Sequence, residues 1–86
     1  ARVTAWPSPF RDRVRIDWVT ASAAPVRVEI FDVAGRRIRG LTGRAGVEWD
    51  GRDGQGLAVA PGTYFVRVET DEDAGPSPVV RVVRRP

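Results

Sequence analysis

Three stretches of the chain alternate apolar and charged residues with a strict period of two. Arg13-Val14-Arg15-Ile16-Asp17-Trp18-Val19-Thr20 places Val14, Ile16 and Trp18 on one side and Arg13, Arg15 and Asp17 on the other. Val26-Arg27-Val28-Glu29-Ile30-Phe31 repeats the pattern with Val26, Val28 and Ile30, and Tyr64 through Thr70 repeats it with Tyr64, Val66 and Val68. Side chains of an extended strand point alternately to its two faces, so each stretch predicts a strand with one dry and one wet face.

Shorter candidates are Arg2 to Ala5, Arg37 to Leu41, Val47 to Trp49 and Pro78 to Arg84. In the last, Val80 and Val82 oppose Val79 and Val83, so its parity is ambiguous. Nine Gly and seven Pro interrupt the chain at short intervals, and no helix beyond a single turn is expected. Asp32-Val33-Ala34-Gly35-Arg36 carries hairpin chemistry, and Asp50-Gly51 and Asp53-Gly54 are further turn dipeptides. About seven short strands, each with one apolar face, must stack as two sheets to enclose a core. The expected fold is all-β: an antiparallel β-sandwich, immunoglobulin-like in the manner of fibronectin type III. At 86 residues it is expected to form one domain over 1–86.

The absent residue types restrict function. There is no Cys, His, Lys, Asn or Met, which removes thiol and imidazole catalysis, Schiff-base amines, His/Cys metal sites, disulfides, a Lys–Asn isopeptide bond and N-linked glycans. Acid–base work would fall to Asp, Glu or Tyr64, and no pair of acids is marked for a shared site. Neither an enzyme nor a cofactor is expected. Fourteen Arg against eleven acids give a net charge of +3, a weak case for nucleic acid as a partner. No apolar run is long enough for a membrane-spanning helix, and no membrane insertion is expected. The chain starts at Ala1 without Met, as a mature or excised piece of something longer would.

Pro61-Gly62-Thr63-Tyr64 leads into a strand. The spacing fits the corner of immunoglobulin-like folds in which a Tyr hydroxyl bonds back to nearby backbone; the alternative is one more inward-facing aromatic.

Four motifs in order resemble a known pattern. Trp6-Pro7-Ser8-Pro9-Phe10 is similar to the aromatic-Pro-Asn-Pro-Phe opening of the carboxy-terminal sorting domains of the bacterial type IX secretion system, and to the related immunoglobulin-like domain of flagellar hook-capping proteins. Ile30-Phe31-Asp32-Val33-Ala34-Gly35-Arg36 resembles their Ile-Tyr-Asp-x-x-Gly-Arg hairpin. Trp49-Asp50-Gly51-Arg52-Asp53 resembles their Trp-Asp-Gly-x-Asp, and Gly56 through Pro61-Gly62-Thr63-Tyr64-Phe65 their following segment. This chain departs from the pattern in Ser8, where the family has Asn, and in its Arg-rich end from Arg81 to Arg85. The resemblance implies a non-catalytic carboxy-terminal accessory module of an exported bacterial protein, extracellular or at the cell surface. It would serve sorting, attachment or assembly, with the parent polypeptide, adjacent subunits or secretion machinery as partners.

The loop Trp49 to Gly56 is the place to suspect calcium, but Arg52 stands where a ligand would sit, so turns shaped by Asp50 and Asp53 are the preferred reading. Asp71-Glu72-Asp73 reads as a solvated hairpin tip. The Arg clusters read as a solvated sandwich surface, with Arg27 or Arg67 paired across strands to Glu29 or Glu69. Trp6, Trp18 and Trp49 are expected in core and rim packing, with carbohydrate stacking as the alternative. Phe31 shares the parity of Arg27 and Glu29, and Phe65 that of Arg67 and Glu69, so both rings should leave the core. On neighbouring strands they would form an apolar patch framed by Arg27 and Arg67, unless a loop or the first strand folds over it.

Overall fold

Alternation decides which side chains leave water. In the computed structural model, which describes residues 2–20, 23–69 and 77–86, seven strands form: β1 (Arg2–Trp6), β2 (Val14–Val19), β3 (Val26–Phe31), β4 (Arg37–Gly43), β5 (Gly46–Trp49), β6 (Gly62–Glu69) and β7 (Val79–Arg84). They make two antiparallel sheets, ordered β1-β2-β5 and β4-β3-β6-β7. This is the all-β, immunoglobulin-like sandwich that the periodicity requires. The proposed hairpin tip Asp71-Glu72-Asp73 lies outside the described residues.

The inward set named from parity is the core: Val14, Ile16, Val28, Ile30, Val66 and Val68 are fully buried, and Trp18, Val26 and Tyr64 nearly so. Burying each large apolar side chain contributes roughly 1.5–3 kcal/mol. The ambiguous β7 resolves toward Val82, which is fully buried, with Val80 packed at the core margin and Val79 exposed.

An aromatic cluster closes one end of the core. The Phe10 and Trp49 ring centroids lie 5.5 Å apart and tilted, and Trp49 meets Tyr64 edge-on at 5.4 Å. The polar atoms of this cluster are matched: the Trp49 indole N–H donates to the Arg52 carbonyl at 2.9 Å. The Tyr64 hydroxyl donates to the Ala60 carbonyl, which is the corner geometry the spacing allowed. Burial raises the Tyr64 pKa above the ordinary phenol value.

The opening motif stitches the two ends of the fold. After β1 the chain passes cis peptide bonds at Trp6–Pro7 and Ser8–Pro9. Phe10 then lies parallel to β7: its N–H donates to Val83 O at 2.8 Å, and its carbonyl accepts from Arg85 N–H at 2.8 Å. Ser8 Oγ accepts the Val83 N–H at 3.2 Å, so the hydroxyl serves in a position where the resembling family carries Asn.

One expectation fails here. Trp6 is 77% exposed, not core or rim. Val3 and Ala5 pack against the core, and with a period of two Trp6, a single step beyond Ala5, takes the opposite face and points to solvent. Trp18 and Trp49 are buried as expected.

Candidate protein-contact site

The outer face of the four-stranded sheet collects the residues singled out by parity. Glycine 35 makes this possible at one end: at φ +84° it closes the β3–β4 hairpin. Asp32 Oδ1 accepts the N–H groups of Ala34 at 3.0 Å and Arg36 at 2.9 Å. The Arg36 and Ala34 amides hold the Asp32 carboxyl below its ordinary value against the opposing effect of burial. The hairpin turns β3 back along β4, and on the other side of β3 Phe31 lies directly opposite Phe65 on β6.

The row through these rings reads Arg37, Phe31, Phe65, Arg81 across β4, β3, β6 and β7, and the next row places Glu29, Arg67 and Val79 side by side. Phe65 is 37% exposed and Val79 is 58% exposed. Phe31 is half-buried beneath Arg67, whose guanidinium carbon lies 5.0 Å from the ring centroid, a cation–π distance. With Val33 and Asp32 these residues line a shallow hollow of about 290 Å³. Among the described residues no segment folds over it; β1 pairs instead with β2 in the other sheet.

Glu29 anchors the arrangement. Although its parity is outward, it is only 7% exposed. Its carboxylate accepts from Arg67 Nη2 at 2.5 Å and from Arg37 Nη1 at 3.1 Å; Arg67 also reaches Glu69 at 3.2 Å. Arg67 foremost, helped by Arg37, brings the Glu29 pKa down to about 2 although burial opposes it, and the same bond raises that of Arg67. The carboxylate fixes two guanidinium groups beside the aromatic pair.

The structure thus brings Phe31, Phe65 and Arg67 together, and leaves Arg27 apart. Arg27 is exposed on the same face but pairs in register with Glu69, away from the hollow. The sequence reading missed Val79 and Val33, which line the hollow. Val79 was discoverable, because it shares parity with Arg81; Val33 sits in the hairpin loop, where alternation gives no orientation. The Glu29–Arg37 bond was also missed, because β4 pairs with β3 through a register irregularity at Ile30/Phe31.

The remaining motif residues shape turns. Asp50 Oδ1 accepts the Arg52 N–H at 3.1 Å and Arg39 Nη1 at 3.1 Å. Asp53 Oδ1 accepts from Gln55 at 2.9 Å and Leu57 at 3.0 Å. These are side chains holding local backbone, the arrangement preferred over calcium. Gly51, at φ +72°, lies where a Cβ would sit 2.8 Å from Arg84 Nε. Gly62 opens β6 at φ +148°. Pro9 precedes the parallel bridge at Phe10.

The chain is similar over 98% of its length to part of PorZ of Porphyromonas gingivalis, with 28% identity and a TM-score of 0.78; PorZ is described as an essential bacterial surface component of the type-IX secretion system. Over 95% of its length it also shares the fold of part of dimeric latent PorU from the same organism, at 21% identity and a TM-score of 0.72. It spans about a tenth of each of those proteins, 11% and 9%. No curated protein matches it in sequence. The sequence pattern of the FlgD Ig-like domain matches residues 10–74, a span that contains the hairpin, the Trp-Asp-Gly turn and the tyrosine corner, and the chain belongs to that family.

Proposed function

We propose that this chain is a non-catalytic carboxy-terminal accessory module of an exported bacterial protein, working outside the cell or at its surface. Residues 1–86 act as one domain that docks onto the parent polypeptide or an adjacent subunit. The Phe31–Phe65 pair carries this reading. A well-formed sandwich has no internal need for two facing aromatic rings on its wet face, and uncovered apolar groups framed by charge are characteristic of contact surfaces. The likeness to part of a bacterial surface component of a secretion system supports the location. Secretion machinery is a second partner of the same kind. The side chains gathered on this face, Phe31, Phe65, Arg67 and Val79 around Glu29, are of the kind that bind, which supports attachment as the module's contribution.

The test replaces both rings, Phe31→Ser with Phe65→Ser, and measures association with the rest of the parent polypeptide. At least about tenfold weaker association with an unchanged circular-dichroism spectrum is expected, the scale of one lost interface anchor. Unchanged affinity in a folded double variant would remove the face from the proposal.

The exposure of Trp6 favours a second reading, adhesion to carbohydrate, because a flat, solvated indole stacks on sugar rings. Trp6 lies opposite Arg15 on the outer face of the three-stranded sheet. Retention on an insoluble polysaccharide that is lost in Trp6→Ala would support it; no retention of the parent form would end it.

A further inference from the structure

The hydrogen-bond phase of the four-stranded sheet identifies which backbone groups remain unpaired at its edges. In an antiparallel pair, alternate residues exchange both bonds with the neighbouring strand while those between them direct N–H and C=O the other way. The Val68 N–H donates to Pro78 O at 3.0 Å, which sets the phase between β6 and β7. Val66 with Val80, Tyr64 with Val82 and Gly62 with Arg84 are then the bonded pairs in the observed register. Val79, Arg81, Val83 and Arg85 consequently direct their backbone groups away from the sheet. Phe10 and Ser8 take up those of Val83 and Arg85. Those of Val79 and Arg81 have no such partner among the described residues.

We propose that this half of β7 is a strand-acceptor edge, and that its occupant is an extended segment of a partner protein in which acidic and β-branched residues alternate. The proposal rests on the docking reading, since Val79 and Arg81 border the Phe65 hollow, and it names the partner's chemistry. Three observations specify that chemistry. Val79 is 58% exposed and would flank an apolar side chain on the added strand. Arg81 is exposed on the same face, and no acid lies between Ser77 and Pro86, where Arg81, Arg84 and Arg85 all carry positive charge. On the open half of the edge Arg81 attracts an acidic side chain of the added strand, with Arg85 beyond it adding positive charge, whereas a second copy of β7 would bring guanidinium groups against their own kind. On the inward side, Val3, Ala5 and Val80 are only partly buried at the core margin, so the added strand's other face would extend an apolar surface.

The opposite edge differs. The Gly54 N–H donates to Ile38 O at 2.9 Å, so the 50–56 loop already occupies part of β4's outer edge, and Arg39 ties that loop down through Asp50 and the Arg52 carbonyl. Arg37 on β4 is engaged by Glu29. Main-chain pairing plus alternate side-chain pockets is how an exposed edge selects a peptide, and of the two edges of this sheet β7 is the one that joins open backbone groups to the exposed Val79 and Arg81.

The probe is a short capped peptide alternating Glu or Asp with Val, compared with its counterpart in which Lys replaces each acid. Binding is read by fluorescence anisotropy and by residue-resolved amide exchange. The acidic peptide is expected to bind and to slow exchange of the Val79 and Arg81 amides about tenfold or more, with the Lys peptide at least about tenfold weaker. Arg81→Pro removes an outward N–H without touching the ladder to β6 and should abolish this protection; Arg81→Glu should reverse the preference between the peptides. Equal binding of the two peptides, protection at Gly40 and Thr42 in place of Val79 and Arg81, or no binding at millimolar peptide would each overturn the proposal. Phe31→Ser with Phe65→Ser separates the two ideas: loss of association with the parent while the peptide still protects Val79 and Arg81 leaves both intact. Unchanged parent association would sink the docking face alone.

Discussion

The molecule holds two aromatic groups of similar composition and opposite fate. Trp49 packs between Phe10 and Tyr64, with ring centroids 5.5 and 5.4 Å away, in the dry interior, and both polar handles, the indole N–H and the phenol, are bonded to backbone carbonyls. Phe31 and Phe65 face each other across two strands, yet one lies half under a guanidinium and the other stands in solvent. Residue type does not separate these groups; parity along the strand does. Tyr64 and Phe65 are chain neighbours, and the single step between them carries the chain from the dry interior to the wet face.

Removing the interior cluster should have the largest effect. Trp49→Ala deletes a fully buried ring and should cost about 3–5 kcal/mol, measured by urea unfolding, a large share of what a domain of this size commands. If it cost less than about 1 kcal/mol, the cluster would not be the structural member of the pair. Gly51→Ala should cost about 1–3 kcal/mol, because it combines a positive φ with a Cβ only 2.8 Å from Arg84 Nε; a variant as stable as the parent form would show that Arg84 simply steps aside. Tyr64→Phe keeps the ring and removes only the corner bond, an expected loss of about 1–2 kcal/mol in the same assay.

On the outer face the effects on the fold should be smaller. Glu29→Gln should lower stability by about 1–2 kcal/mol at neutral pH, since the carboxylate is buried while both Arg partners stand partly in water. The pH dependence has a definite sign. The folded-state pKa of about 2 lies below the ordinary glutamate value of 4.5, so the stabilisation is fully present above about 4.5 and is lost as the pH falls toward 2. Comparing unfolding midpoints of the parent form and Glu29→Gln across that window should show the difference between them shrinking as the pH falls; a constant gap would mean that Glu29 contributes by packing alone. The smallest effect on the fold belongs to Phe31→Ser with Phe65→Ser, expected within about 1 kcal/mol because little apolar surface is withdrawn from the interior. A loss as large as that of Trp49→Ala would erase the contrast between the groups.

Much of this division was legible from period-two alternation alone. Ile16, Val28 and Val66 follow it to complete burial, and Phe31 and Phe65 follow it outward. The tyrosine corner was legible as one of two alternatives, because spacing fixes where a hydroxyl can reach but not whether it bonds. Trp6 was misplaced by giving residue type precedence over parity. Glu29 shows the converse limit: its outward parity is correct, but Arg37 and Arg67 close over it from β4 and β6, an effect of strand order and of a register irregularity that no single stretch of sequence contains. Val33 escaped notice because loops carry no period.

The parallel contact between Phe10 and the Val83–Arg85 segment has a mechanical consequence. Chain entering through β1 and chain leaving after β7 depart from this contact in opposite directions, so tension between them loads its hydrogen bonds together in shear instead of opening them one at a time. A link of this design resists pulling best along its own strands.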